Sequence, residues 1–237
     1  PGEALVLENF EPDVEGGYRR MNGYRKHFNH IVPQTATASE NIIGVANFAN
    51  KVIACRGEKI FNGASTELNT AITSSETMSG SGVIKVDSVL GFSTSGILQI
   101  EDELFTYTGV STTARPNEFT GVTRATSGTG AAAHLSNIVV SSPWTEIDTG
   151  RTSAVKYRFE RFNYNGTDKI IFVDEANAPV VFDSSFNVVD VAESSVAGSK
   201  FIASFKDHMF YAGKSTTPQE LVFSEGFNED GFSASAA

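Results

Sequence analysis

The sequence predicts an all-β protein in which incomplete β-propeller-like blades carry an inserted small β-barrel or sandwich domain. Alternating apolar segments of four to six residues are common, whereas few segments show the helical spacing of apolar residues. The 21 glycines suit a chain with many tight turns. In addition, one sequence motif recurs along the chain: a Phe, a short polar link, an apolar run and then a turn.

The recurring sequence motif sets the spacing of the predicted blades. Its copies contain Phe48, Phe162 and Phe205, at intervals of 114 and 43 residues. Removing residues 64–142, which have their own composition and strand pattern, shortens the first interval to 35 residues. A period near 40 residues built from short strands is typical of propeller blades, which take about 40–45 residues each. The alternative is an ordinary antiparallel β protein whose hairpins resemble one another.

These intervals divide the chain into three parts. Residues 1–63 form an N-terminal arm and the strands of the first blade, 64–142 form the inserted small β domain, and 143–237 form further blades. A propeller needs about four to eight blades, so we expect that the chain is truncated or continues, or that neighbouring subunits supply the rest. The segments predicted as core strands are 42–53, 59–61, 83–86, 97–100, 104–107, 119–123, 138–140, 154–159, 169–173, 179–182, 201–205, 209–212 and 221–224.

The charge and the single cysteine exclude several classes of protein. The net charge is −10, divided as 0, −4 and −6 among the three parts. An acidic surface repels phosphates, so sequence-specific nucleic-acid binding is disfavoured, whereas an acidic wall suits a channel through which DNA slides. Cys55 has no partner for an intramolecular disulfide and is expected to be a buried, inert thiol. No run of about 18 apolar residues is present, so no membrane span is predicted.

A zinc site is disfavoured by the positions of its possible ligands. His27 and His30 are three residues apart, but Cys55 and His134 are distant from them in sequence. A zinc site needs three or four convergent ligands, so these histidines are expected to be exposed or capping residues.

The run of three acidic residues, Glu101, Asp102 and Glu103, is the strongest candidate for acid–base chemistry. On a strand, Glu101 and Glu103 share one face. Paired carboxylates hydrolyse glycosidic bonds only when they converge across a cleft. We therefore expect solvated charges that protect a strand edge from pairing.

The remaining motifs also favour structural roles. Asn163, Asn165 and Asp168 surround Gly166 like part of a calcium loop, but the Glu at the twelfth position is missing, and a hairpin turn is expected. The glycine-rich segments 80–82 and 128–130 lack the features of phosphate loops. No catalytic, cofactor-binding or metal-ligating residue and no cofactor is assigned. The aromatic residues that would stack on sugars, or else pack in the core, are Tyr18, Tyr24, Phe28, Tyr157, Phe159 and Tyr164.

Two segments resemble virion proteins of tailed bacteriophages. Residues 1–12 and 17–24, with Glu-Asn-Phe-x-Pro and then Arg-x-x-Gly-Tyr, resemble the opening of tail structural proteins. Residues 86–134 are similar to a small β module that recurs in phage virion proteins, through Ile-Leu-Gln-Ile-x-x-Glu, Tyr-Thr-Gly, Phe-Thr-Gly-x-x-Arg and Gly-Thr before a His. Here Ser93 replaces the usual Pro, and Ala125 replaces the Gly that follows Arg124.

The resemblance implies a non-enzymatic tail protein of the nozzle or tubular type, located in the virion, with blades around the DNA exit channel. It implies a homo-oligomeric ring, expected to be hexameric, which conducts DNA during genome ejection without sequence-specific binding. Adaptor and fibre proteins of the tail would be its partners, and the inserted module would project outward to dock them. The alternatives are a host-surface glycan-binding module for receptor recognition and a hydrolase of cell-envelope sugars.

Overall fold

Antiparallel strands form almost all of the regular structure. The computed structural model of the chain describes residues 10–12, 18–20, 26–34, 41–152 and 155–232. The all-β prediction is confirmed, since the helical structure in these ranges is a single 3-10 turn, Ser194–Val196. Near the N-terminus, β1 (Phe10–Pro12) pairs with β2 (Tyr18–Arg20). The predicted strands then follow in their expected order, grouped into four larger sheets. The strand predicted at 154–159 is shifted: residue 154 lies outside the described residues, and the strand runs over Arg158–Tyr164.

The first sheet begins as a meander of β3 (Ile42–Phe48), β4 (Lys51–Arg56) and β5 (Lys59–Gly63). In β4, Ile53 and Cys55 face one side, and Ala54 and Arg56 face the other. All four are buried. This strand therefore reads as a continuous apolar run rather than an alternating one, because both of its faces are covered.

Residues 65–141 form the module, a small barrel with its own core. Its strands are β6 (Ser65–Glu67), β7 (Ser79–Val86), β8 (Gly96–Ile100), β9 (Glu103–Tyr107), β10 (Gly109–Ser111), β11 (Asn117–Thr123) and β12 (Val139–Ser141). They pair in the order β7, β11, β9, β8, β12 and β6. A bridge between Leu68 and Val86 then returns β6 to β7 and closes the ring. Apolar side chains fill the interior, among them Leu98, Phe105 and Phe119.

The chain leaves and re-enters the first sheet at one point. Ser142 N donates to Ala64 O at 2.9 Å, and Ala64 N donates to Ser142 Oγ at 3.0 Å. Directly afterwards, β13 (Thr145–Asp148) pairs with β5 as the fourth strand of the first sheet. The module is therefore inserted inside the first sheet, and residues 145–148, at the start of the part predicted to form further blades, complete that sheet instead.

Two more meanders follow. The second sheet contains β14 (Arg158–Tyr164), β15 (Thr167–Val173), β16 (Val180–Asp183) and β17 (Val188–Asp190). The third sheet contains β18 (Phe201–Phe205), β19 (His208–Ala212) and β20 (Leu221–Phe223).

The three meanders stack face to face with the second sheet in the middle. We call the side of a sheet that is turned toward the next sheet its back face, and the opposite side its front face. Side chains from the back of the first sheet and the front of the second share one core: Phe48, Ile53, Cys55, Ile60, Ile170, Phe172, Val180 and Phe182. The back of the second sheet and the front of the third share another: Phe162, Tyr164, Ile171, Val173, Val181, Met209 and Tyr211. The sheets stack in the order in which they occur along the chain, as successive propeller blades do.

The repeat that was predicted from the sequence lies at the first hairpin of each sheet. Each hairpin closes with a two-residue turn in which both residues have positive φ, the geometry that matches the twist of paired strands. These turns are Ala49–Asn50, Asn165–Gly166 and Lys206–Asp207. The residue before each turn is Phe48, Tyr164 or Phe205. The structural equivalent of Phe48 and Phe205 is thus Tyr164, two residues after the predicted Phe162.

Candidate assembly surface

The back face of the third sheet is apolar and open to solvent. The strand register places Phe201, Phe205, Phe210, Leu221 and Phe223 on this one face. All of them except Phe210 are exposed, and Phe210 is half-buried. The Phe210 and Phe223 rings are 5.7 Å apart, so the side chains form one continuous surface. The small residues and the histidine that complete the face are Ala203, Ala212 and His208.

Equivalent positions in the first two sheets show how unusual this exposure is. Phe48 is 2% exposed and Tyr164 is 7% exposed, because the next sheet covers each of them. Phe205, which precedes the same turn in the third sheet, is 62% exposed. The three sheets therefore present the same kind of face, and the third lacks its cover among the described residues.

Basic side chains border the open face. The Arg158 guanidinium lies 4.9 Å from the Phe201 ring and donates to Glu175 Oε1 at 2.8 Å. Lys206 lies 5.4 Å from the Phe205 ring. The Arg158 guanidinium is thus paired with Glu175, whereas the Lys206 side chain lies against the Phe205 ring at the exposed border of the face.

The third sheet also has a free edge. In the described ranges it contains three strands, whereas the first and second sheets each contain four. β20 pairs with β19 on one side, and no described strand pairs with its other side. An apolar face beside an unpaired edge is a surface that another β-sheet can extend or cover.

The opposite end of the stack is largely covered. Residues 26–34, which we call the strap, cross the front face of the first sheet. Val32 packs there with Ala54 and Phe61, and Phe28 stacks on Trp144 with ring centroids 4.3 Å apart. The strap also joins the module to the sheet, because Asn29 Nδ2 donates to Gln99 O and Val139 O, both at 2.8 Å.

A buried charged network lies inside the module. Glu103 is 1% exposed, and its two carboxylate oxygens accept from Arg124 Nε and Nη2, each at 2.8 Å. The same carboxylate accepts from the backbone N–H of Ala125 at 3.1 Å and of Ala132 at 2.9 Å. His134 Nε2 lies 2.8 Å from Glu103 Oε2. Every polar position of the carboxylate is thus occupied by the protein itself.

This network corrects two predictions. Glu103 is not a solvated edge charge, and His134 is neither exposed nor a cap, since both side chains are buried. Burial alone would raise the pKa of Glu103, but hydrogen bonds from Arg124, Ala132 and His134 outweigh it and lower the pKa from 4.5 to about 2. A general acid requires a raised pKa, so Glu103 is poorly suited to protonate a glycosidic oxygen. His134 itself forms an antiparallel bridge with Ile72.

The possible metal ligands remain apart. No group of three His, Cys, Asp or Glu side chains is placed to hold a metal ion in the described part of the chain. The burial predicted for Cys55 is confirmed, and burial raises the pKa of its thiol. His27 lies 3.2 Å from Ser65 Oγ, and the ring of His30 is partly buried.

The predicted aromatic and turn residues are distributed through the core and the hairpins. Tyr157 and Tyr164 are buried, and Phe159 packs against Phe172 with ring centroids 4.8 Å apart. Tyr24 and the side chain of Tyr18 lie outside the described residues. The predicted hairpin turn at 165–166 is confirmed. Asp168 accepts from Asn163 Nδ2 at 2.7 Å and from Arg161 Nη2 at 3.2 Å.

Sequence reasoning missed the open face, although a signal for it was present. The segment 201–205 reads Phe-Ile-Ala-Ser-Phe, and 221–223 reads Leu-Val-Phe, so apolar residues occupy both strand faces. Strands of this kind are typical of sheets that are covered on both sides. Because the second sheet covers the front face of the third, this pattern indicates that another element covers the back face.

Comparison with known proteins identifies no relative: no family model, no curated protein and no solved structure matches the chain. In the described ranges, no helix has the length and apolar character needed to cross a membrane.

Proposed function

We propose that the protein is a structural, non-enzymatic subunit of the tail of a tailed bacteriophage. It assembles with further copies into a ring in the virion, and the ring conducts DNA during genome ejection. Adaptor and fibre proteins of the tail are its neighbours. The resemblance of residues 1–24 and 86–134 to phage virion proteins supplies the type of particle.

The observation that carries the proposal is the open back face of the third sheet. Large apolar side chains cover it, and the equivalent residues of the other two sheets are buried. The largest apolar patch on a soluble monomer is typically about 300–600 Å² and often serves a function such as protein–protein contact, and this face falls in that class. An assembly subunit therefore explains this face better than an independent monomer does.

The charge supports passage of DNA rather than its capture. The chain carries a net charge of −10, so most of its surface repels phosphates. DNA phosphates would thus form few ion pairs with the subunit, and the DNA would slide past it.

The described contacts favour neither of the rival functions. Glycan recognition by the module would require exposed aromatic rings there, but its four aromatic side chains are buried or half-buried: Phe92, Phe105, Tyr107 and Phe119. Hydrolysis of sugars requires two convergent catalytic carboxylates, and Glu103 is held by Arg124 instead.

The test is whether the protein is part of a virion. Particles from the source culture would be purified by density gradient, analysed for peptides of this chain by mass spectrometry, and labelled with a gold-conjugated antibody for electron microscopy. We expect peptides in stoichiometric amounts and label at the tail. Particles that lack the peptides while the chain is produced in the same culture would contradict the proposal.

A further inference from the structure

The two interfaces within the stack are contacts of one type, in which the back of one sheet packs on the front of the next. Both are closest at the first strands of the sheets. A Cβ atom on Gly44 of β3 would lie 2.7 Å from Phe159 Cζ on β14. Glu160 of β14 accepts from the backbone N–H of Ser204 on β18 at 3.0 Å. The chain thus repeats a head-to-tail contact along its own length.

The first strand of the first sheet is open on its front face. Val45 of β3 is the cross-strand neighbour of Ala54, and it is 58% exposed although Ala54 is buried. Ile42 on the same strand is also exposed. The strap packs on Ala54 and Phe61, on strands β4 and β5. Two apolar side chains along β3, Ile42 and Val45, are therefore left uncovered by the described residues at the end of the stack opposite the third sheet.

From these two surfaces we infer that the back of the third sheet in one copy packs on the β3 side of the first sheet in a second copy. The contact continues the head-to-tail stacking that already joins the sheets within the chain. The back of β18 in one copy meets the front of β3 in the next copy, just as the back of β3 meets the front of β14 inside one copy. This inference rests on the proposed ring assembly and names the surfaces that form it. A contact between two different surfaces generates rings or open chains of subunits, as a ring-forming tail protein requires.

The size of the open face agrees with a contact that needs repetition. Phe201, Phe205, Leu221 and Phe223 are each about half exposed. At roughly 200 Å² for a large side chain, they offer about 400 Å² of apolar area. A stable pairwise interface takes about 800 Å² from each partner. In a ring, each copy uses both of its surfaces and therefore makes two contacts, which together compensate for the small area of each one.

The experiment compares variants of the two surfaces by light scattering after size-exclusion chromatography. One variant carries Phe205→Asp and Phe223→Asp, and the other carries Val45→Asp. The control is Leu135→Asp, an exposed apolar residue of the module that lies on neither surface. Circular dichroism establishes that each variant is folded, and a second pair, Phe205→Ser with Phe223→Ser, removes apolar area without adding charge.

We expect the unaltered protein and the Leu135→Asp control to assemble in a concentration-dependent manner. Each surface variant alone should bind itself at least about 100-fold more weakly, because a buried unpaired carboxylate opposes the contact. At high protein concentration, an equal mixture of the two surface variants should show a larger average mass than either variant alone, approaching twice the chain mass of 25.4 kDa, since one intact contact joins a pair although it lacks the reinforcement of a closed ring.

Two results would overturn the inference. If the unaltered protein assembles but the mixture of variants at high concentration associates no more than either variant alone, the contact is not head-to-tail between these surfaces. If the unaltered protein remains monomeric at high concentration, a second copy does not cover the open face. Neither result decides whether the chain lies in virions, which the particle analysis measures separately.

Discussion

The module and the three-sheet stack bury their strands in opposite ways. The module closes its strands into a ring, and its apolar side chains turn inward to a core that belongs to the module alone. The stacked sheets share their cores with their neighbours, so each added sheet leaves a new face to be covered. A closed barrel has no exposed edge and no uncovered core face, whereas an open stack always has an end. The core of the module thus needs no further cover, whereas the last sheet of the stack has an apolar face that the described residues do not cover.

The largest expected effect separates covered from uncovered sheet faces. Phe172 lies between the first and second sheets, and Phe223 lies on the open face of the third. Phe172→Ala should lower the free energy of unfolding by about 3–5 kcal/mol because it leaves a cavity in a packed core. Phe223→Ala should change it by less than about 0.5 kcal/mol in dilute monomeric protein, since no described sheet covers this side chain. Urea unfolding followed by circular dichroism measures both, and equal losses would mean that the two faces are not different.

The stability of the module depends on the charged network around Glu103. Glu103→Gln would leave the buried Arg124 guanidinium without its counter-charge, and we expect a loss of about 3–5 kcal/mol in module stability. The matched control is Glu101→Gln, because Glu101 contacts the same His134 from an exposed position and should cost less than about 1 kcal/mol. Hydrogen exchange of β9 and β11 reports the stability of the module separately from that of the sheets. Similar protection in the two variants would refute a special role for the buried pair.

A smaller effect follows from acid. The pKa of Glu103 is lowered to about 2 by its hydrogen bonds in the folded protein, against an ordinary value of 4.5. Its contribution to stability is therefore complete above pH 4.5 and is lost as the pH falls through 2. Between these values the loss is at most about 1.4 kcal/mol for each pH unit.

The comparison of the unaltered protein with Glu103→Gln isolates this contribution, since the other carboxylates are common to both. We expect their difference in unfolding free energy to shrink as the pH is lowered from 4.5 toward 2. A constant difference over that range would show that the folded protein does not hold Glu103 ionised. The denaturant series at each pH supplies the measurement.

Much of the fold was predictable because strands and turns are local. The predicted segment 97–100 lies in Gly96–Ile100, and 169–173 lies in Thr167–Val173. The hairpin turn at 165–166 follows from Asn-Gly, the pair that accepts positive φ in both positions. These assignments depend on neighbours in sequence, so spacing and turn residues were enough.

The candidate surface and the network were not predictable in the same way. Glu103 lies beside two other acidic residues, and three adjacent carboxylates favour a solvated interpretation. Only the closure of the barrel brings Arg124 and His134 to it, from 21 and 31 residues away. The resemblance to a phage module already contained all three residues, but the sequence does not show that they meet.

By itself, the sequence determined that this protein is built of short antiparallel strands, that its blade-like hairpins repeat, and that a separate β unit interrupts them. These properties depend on periodicity and turn chemistry, which act over a few residues. The tertiary structure decided that the interruption falls inside the first sheet, that Glu103 is buried against Arg124, and that one apolar face is left uncovered. Each of these outcomes depends on which distant strands pack together, because burial is a property of the whole arrangement and not of any one segment.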